Sequence, residues 1–131
     1  MHVRRTDFVN HKYHDCVDLN YYKNSIDLIL SKVKDPFFYV FSDYILWCEE
    51  NLPLNDYNRK FVDNSFNGDK CKYYFKLMTS CKHYIIPNSS FGWWAAWLNN
   101  MQNKTVVCPK MWFTDPLVNT KDLIPEEWIR L

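Results

Sequence analysis

The chain has 131 residues, of which 47% are hydrophobic, 18% aromatic and 24% charged. Disorder needs few aromatics and a lopsided charge, so this is a folding sequence, long enough for one domain with a real core and hardly for two. Sixteen basic residues against fifteen acidic ones make no broad basic field, which argues against nucleic acid as a partner.

His2-Val3-Arg4-Arg5 reads as the end of a strand whose upstream half is missing, and the charges there leave no room for the apolar stretch of a signal peptide. Tyr22, Ile26, Ile29, Leu30 and Val33 fall at helical spacing, with Asp18 as N-cap and Pro36 beyond the stop. Phe37 to Phe41 is expected as a buried strand rich in aromatic and β-branched side chains. It is the longest apolar run, far short of the roughly 20 residues a membrane helix needs. A helix from about Tyr44 to Asn51 and a weak strand near Lys60 to Val62 follow. The loop Asn64 to Gly68 leads to Asp69, read as the cap of a helix carrying Tyr74, Leu77, Met78 and Cys81. His83 to Ile86 is the next strand. Ser89 or Ser90 then caps a helix apolar almost all round (Phe91, Trp93, Trp94, Ala95, Ala96, Trp97, Leu98), expected to be buried, with Trp94 in the core by helical phase. Asn99-Asn100 ends it. Thr105 to Cys108 is expected as the last strand, before a helical or extended segment from Asp122 to Leu131. Strand and helix alternating at this pace predict an α/β fold with a parallel sheet, in one compact unit.

Only two glycines occur, Gly68 and Gly92, so glycine-rich phosphate loops are excluded and any phosphate must be held by side chains and helix N-termini. The five cysteines, Cys16, Cys48, Cys71, Cys81 and Cys108, form no C-x-x-C pair and read as reduced thiols. Two N-x-S/T sequons, at Asn88 and Asn103, matter only in a secretory lumen.

In open parallel sheets, ligands bind beyond the carboxyl ends of the strands, and three clusters fall at such ends. In His2-Val3-Arg4-Arg5-Thr6-Asp7, arginine suits a diphosphate because its planar fork donates paired hydrogen bonds and keeps its charge. Asp7 can orient an arginine or accept a proton. Taken alone, the hexapeptide is better read as a solvated basic strand end salt-bridged to Asp7. In Phe41-Ser42-Asp43-Tyr44, the Asp43 carboxylate can take ribose hydroxyls or a base edge, or can simply cap a helix. In Asn88-Ser89-Ser90-Phe91-Gly92, two hydroxyls and successive N–H groups at a helix start suit an anion, and capping explains one serine equally well. His11 and His14 have an H-x-x-H look but no third ligand at fixed spacing, so a metal site is not expected. His83 reads as a satisfied structural histidine.

Together and in this order, the clusters resemble the α-1,2-fucosyltransferases of glycosyltransferase family 11. That family's pattern runs H-x-R-R-G-D-Y/F, then F-S-D-D before a tryptophan helix, then L-M-S-x-C-K-H and N-S-S-F-S-W-W-A-A-W-L-N. This chain has His2-Val3-Arg4-Arg5-Thr6-Asp7-Phe8, Phe41-Ser42-Asp43-Tyr44, Leu77-Met78-Thr79-Ser80-Cys81-Lys82-His83, and the run Asn88 to Asn99. Thr6, Tyr44, Pro87 and Gly92 stand where the pattern has glycine, aspartate, alanine and serine. The resemblance implies the C-terminal, Rossmann-like donor-binding half of a GT-B-type enzyme, its N-terminal half-domain absent. The implied reaction moves L-fucose from GDP-fucose to the 2-hydroxyl of a galactoside, with inversion and with no cofactor or metal. One or both of Arg4 and Arg5 would neutralise the diphosphate, and Asp7 and His2 are candidate bases, the absent half being the other source of one. Asn88, Ser89, Ser90 and Phe91 would line the phosphate and sugar pocket, with Asp43 near the nucleoside. A galactoside acceptor, peripheral membrane association through glycan acceptors, and a cytoplasmic or membrane-peripheral location (Golgi membrane if eukaryotic) belong to the same implication. The alternatives are a non-catalytic nucleotide-sugar or glycan-binding remnant and a structural domain presenting its aromatics to a partner.

Overall fold

A computed structural model describes residues 1–9, 11–15, 17–62 and 68–131, the side chain of Asp69 excepted. Cys16 and most of the loop expected from Asn64 to Gly68 lie outside the described residues, as does the proposed capping carboxylate of Asp69.

Strands β1 (His2–Val3), β2 (Phe38–Ser42) and β3 (Arg59–Val62) form one parallel sheet in the order β1-β2-β3. Strands β4 (Tyr84–Ile85), β5 (Val106–Cys108) and β6 (Ile129–Arg130) form a second, also parallel, in the order β4-β5-β6. Four helices accompany them: α1 (Leu19–Lys32), α2 (Ile45–Asn51), α3 (Cys71–Thr79) and α4 (Ser90–Leu98). The expected α/β class with parallel strands flanked by helices is what the chain adopts.

The two sheets share a core. Met1 and Val3 pack in one cluster with Tyr22, Ile26 and Ile29 of α1, Val40 of β2, Ile85 of β4 and Val107 of β5. The Tyr21 hydroxyl is buried and donates towards the carbonyls of Ile86 and Val107, tying α1 to the second sheet. A second cluster gathers Phe41, Met78, Tyr84, Ile86, Ala95, Ala96, Trp112 and Trp128 beneath α3 and α4.

Local chemistry accounts for the ends of the helices. Asp18 caps α1 by accepting from Tyr21 N at 2.8 Å, which satisfies one of the unpaired first-turn donors. Helix α3 begins at Cys71 after a single 3-10 turn over Gly68–Lys70, so Lys70, and not Asp69, holds the capping position. The far end of α4 is closed by a lysine: Lys104 Nζ donates to Ala96 O at 2.7 Å and Asn99 O at 2.6 Å, a cation on the negative end of the helix.

Four expectations need correction. Trp94 is not in the core: it is 50% exposed, and Trp97 and Leu98 are also exposed, so α4 is buried only along Gly92, Ala95 and Ala96. Strand β2 begins one residue later than expected, and Phe37 and Tyr39 point outwards while Phe38, Val40 and Phe41 are buried. Alternation across the pleat separates Phe38 and Val40 from Tyr39, and Phe41 departs from it because its own face is covered, with Tyr74 of α3 packed edge-on against its ring. The strand expected from His83 to Ile86 is only Tyr84–Ile85, and His83 Nδ1 accepts from Thr105 N at 3.1 Å, a satisfied histidine. Strand β5 is not the last, because Ile129–Arg130 adds β6 beyond it. Among the described residues, no helix is long and apolar enough to cross a membrane.

Candidate functional site

Because β1 and β2 run parallel with Val3 opposite Ser42, their carboxyl ends deliver Arg4 and Asp43 side by side. The strand stops at Val3, so Arg4 and Arg5 are released from the strict alternation of a pleat. Asp43 organises the loop beyond the strand. Its Oδ1 accepts from Arg5 N at 3.0 Å, and its Oδ2 accepts from Thr6 N at 3.0 Å and from the Thr6 hydroxyl. Asp43 Oδ2 also lies 3.4 Å from Arg4 Nε. Its carboxylate is therefore engaged by the arginine loop and does not cap α2, where Tyr44 holds the cap position without a side-chain bond. Positive φ among described non-glycine residues is confined to Asp35 and Asn103, so Thr6 sits in ordinary backbone and contributes a hydroxyl that glycine lacks.

The two guanidinium groups take different partners. Arg4 makes a bidentate pair with Asp7, Nε to Oδ1 at 2.7 Å and Nη2 to Oδ2 at 2.8 Å. That hydrogen-bonded contact raises the Arg4 pKa and holds the Asp7 carboxyl below the usual carboxylate range. Arg5 lies over the indole of Trp47 on α2, 3.8 Å from the ring centroid, close enough for a cation–π attraction.

His2 is buried, 5% exposed. Burial pushes its pKa down to about 3, assisted by the nearby N-terminal ammonium, so the imidazole is neutral at any physiological pH. Its ring lies 5.8 Å from that of Phe91. A Cβ added to Gly92 would sit 2.7 Å from His2 Nδ1 and 3.2 Å from Ile86 Cγ2. The first turn of α4 thus rests on the end of β1 and on the residue after β4. Phe91 is further wedged by Tyr74 and Phe75 of α3, and the Tyr74 hydroxyl accepts from Ser42 N at 2.7 Å.

At that helix tip, Ser89 holds the cap position but makes no side-chain capping bond, and Ser90 is exposed. Among the described residues, no side-chain cap bond reaches the first-turn N–H groups, at the positive end of the helix. Asn88 is buried; its Nδ2 donates to Trp112 O at 3.0 Å and Asp15 O at 3.3 Å. Two buried polar atoms beside this tip, His2 Nδ1 and Asn88 Oδ1, have no hydrogen-bond partner among the described residues.

Asn88 also anchors the far end of the loop that leaves β1. That loop carries a ring ladder in which His14 stacks on Phe8 at 5.3 Å and on His11 at 5.5 Å, with Phe113 against its side. His11 Nδ1 accepts from Tyr13 N and His14 N, so the H-x-x-H pair serves the turn and the stack. Of the sequence-predicted residues, Arg4, Asp7 and Asp43 form one bonded group. His2, Phe91, Ser89 and Ser90 belong to the adjoining helix tip, with Asn88 behind it. Sequence reasoning gave no site role to Trp47 or Tyr74 and noted Thr6 only as a replacement for glycine, whereas these three hold the arginine loop and the end of β2. The F-S-D run ahead of a tryptophan was the only available signal, and it named Asp43 without its partner.

The model for glycosyl transferase family 11 matches residues 1–131. An O-antigen biosynthesis glycosyltransferase, WbnK, of Escherichia coli is 36% identical over 138 residues, covering 100% of this chain and 43% of the relative. An alpha-1,2-colitosyltransferase of Escherichia coli is 35% identical over 136 residues, covering 100% of this chain and 46% of the relative. A galactoside alpha-(1,2)-fucosyltransferase 2 of Rattus norvegicus is 33% identical over 102 residues, covering 75% of this chain and 28% of the relative. No solved structure matches the chain significantly. The chain spans less than half the length of these curated relatives. With a family model matched from the first residue to the last, the chain belongs to glycosyl transferase family 11.

Proposed function

We propose that this chain is the nucleotide-sugar-binding part of a galactoside α-1,2-fucosyltransferase, moving L-fucose from GDP-fucose to the 2-hydroxyl of a galactoside with inversion. One observation supports this reading above the others. The arginine-bearing end of β1 and the uncapped first turn of α4 abut through the His2–Gly92 contact. A diphosphate seated across them would meet two guanidinium groups on one side and helix N–H groups on the other. Charge grows on the leaving phosphate as the glycosidic bond breaks, and fixed donors there act most strongly on the transition state. These side chains would do the work that a metal does in other transferases, with no cofactor.

The residues divide into roles. Arg4 and Arg5 would neutralise the diphosphate, and Ser89 and Ser90 would line the phosphate pocket with Phe91 beside the sugar. Asp43 would act through the loop it clamps, not by touching the nucleoside. Asn88 would hold the strand-to-helix turn in place. Inversion needs a base for the acceptor proton. Buried and neutral, His2 fits a supporting role under Phe91 better than that one, and Asp7 is the accessible carboxylate. The acceptor would be positioned with a further half-domain of the kind its longer relatives have room for. Approach to membrane-borne glycans would be peripheral.

Calorimetric titration of the folded chain with GDP and GDP-fucose tests this. Binding is expected, with Arg5→Ala weakening it about tenfold, the scale of one charge-assisted contact. A folded sample, verified by circular dichroism, that binds neither nucleotide would overturn the proposal. Colitosyl transfer is the second reading, favoured by the 35% identity to the colitosyltransferase; competition between donor sugars on the same nucleotide would separate the two.

A further inference from the structure

Arg4 offers Asp7 the side of its guanidinium that best fits an oxyanion. The two parallel bonds, at 2.7 Å and 2.8 Å, match the arrangement a phosphate takes on the same edge. We infer that Asp7 is an internal stand-in for the donor's diphosphate, occupying the side-on edge of Arg4 in the empty site and swinging off when a nucleoside diphosphate takes that edge. The inference rests on the donor-site reading above and adds to it what regulates affinity there.

Three observations carry it. The pair is open to solvent, with side-chain exposures of 35% for Arg4 and 57% for Asp7, so salt screens it and an incoming anion can reach the same edge of Arg4. The backbone on either side of Asp7 is tied down: Thr6 is clamped by Asp43, and Phe8 N and Val9 N both donate to Arg5 O, at 3.1 Å and 3.0 Å. Rotation of a short exposed side chain therefore suffices for the exchange, and the loop need not move. Finally, Asp43 already stands 3.4 Å from Arg4 Nε and contacts the loop backbone, so Arg4 does not depend on Asp7 alone for its place. With two carboxylates around it, Arg4 carries little net positive field. A lone small anion is then a poor competitor, whereas a diphosphate also engaging the tip of α4 is a good one. The same competition hastens release of the spent nucleotide.

The experiment is titration of GDP into wild type, Asp7→Asn, Asp7→Ala, Arg4→Ala and the double variant Arg4→Ala/Asp7→Asn, with melting curves to verify folding. Asp7→Asn and Asp7→Ala are each expected to tighten GDP binding about three- to tenfold, and the gain should vanish in the Arg4→Ala background. A strut that merely aims Arg4 would behave oppositely, and weakened binding in both Asp7 variants sinks the inference. So does an unchanged affinity, or a gain that persists without Arg4, which would mark simple through-space repulsion. Absence of GDP binding by the folded wild type would instead bring down the donor-site reading, and the stand-in with it.

Discussion

The imidazole of His2 and the backbone of Gly92 lie in direct contact: a Cβ at position 92 would come within 2.7 Å of His2 Nδ1, with Ile86 close behind. A helical glycine normally weakens its helix, by about 1 kcal/mol relative to alanine. Here that propensity gain is opposed by a clash with a buried ring that has nowhere to move. Gly92→Ala is expected to destabilise the chain by about 1 kcal/mol net, the overpacking penalty exceeding the gain. Urea unfolding measures it, and a more stable variant would contradict the packing described.

The same burial makes stability fall with acid. His2 has a folded-state pKa of about 3 against an ordinary 6.5, so the unfolded chain binds the proton more readily. Its contribution is fully present above the ordinary value and is lost as pH falls towards the folded one. Between pH 8 and pH 5, wild type should lose about 2 kcal/mol from this residue. His83 is shifted in the same direction by burial and Lys82. The comparison is therefore with His2→Asn, whose pH 8 to pH 5 difference should be smaller by about that amount.

Removing the clamp should loosen the arginine loop. Asp43→Ala deletes the acceptor of Arg5 N, Thr6 N and the Thr6 hydroxyl. Hydrogen bonds to a charged acceptor contribute about 1.5–3 kcal/mol where buried; this carboxylate is 15% exposed and its bonds to Thr6 lie at the surface, so a loss of about 1–2 kcal/mol is expected. Faster amide exchange at Arg5 and Thr6 is the direct readout, and unchanged protection there would refute the clamp.

The tryptophans give a contrast within one experiment. Trp94→Ala, at an exposed position, should change stability by no more than about 0.5 kcal/mol. Trp128→Ala should cost about 3–5 kcal/mol, because that indole is buried against Trp93. Equal effects would mean that α4 is rotated from the orientation found.

Helical phase misplaces Trp94 for a physical reason. Helix α1 carries a polar side and an N-cap, so its inward face and its first residue could be read from Asp18 and the spacing of Tyr22, Ile26 and Ile29. Helix α4 is apolar on every side, so its pattern has no phase, and only packing of Gly92, Ala95 and Ala96 against the sheet selects the inner face. Small residues, not the indoles, let the helix approach. Strand β6 escaped notice because two residues after a proline-containing turn carry no alternation to detect. For the site, the motifs offered Arg4, Arg5, Asp7 and Asp43 as candidates, but not their pairings. That Asp43 would serve the loop depended on the parallel register of β1 and β2, a relationship between residues nearly forty positions apart that local pattern does not encode. The bidentate edge of Arg4 on Asp7 is a short-range contact and legible in the sequence, because the two residues lie three apart at a strand end.

Every strand pairing among the described residues is parallel, joining His2 to Phe41, Phe38 to Arg59, Tyr84 to Val106 and Val107 to Ile129. No hairpin among them offers a quick nucleus, and each pairing closes about twenty residues or more before any ladder bond forms. Refolding from denaturant should accordingly be slow for a chain of this size, with α1 structured early and the parallel ladders closing late. A nascent chain on the ribosome could not finish its second sheet until residue 130 had cleared the exit tunnel.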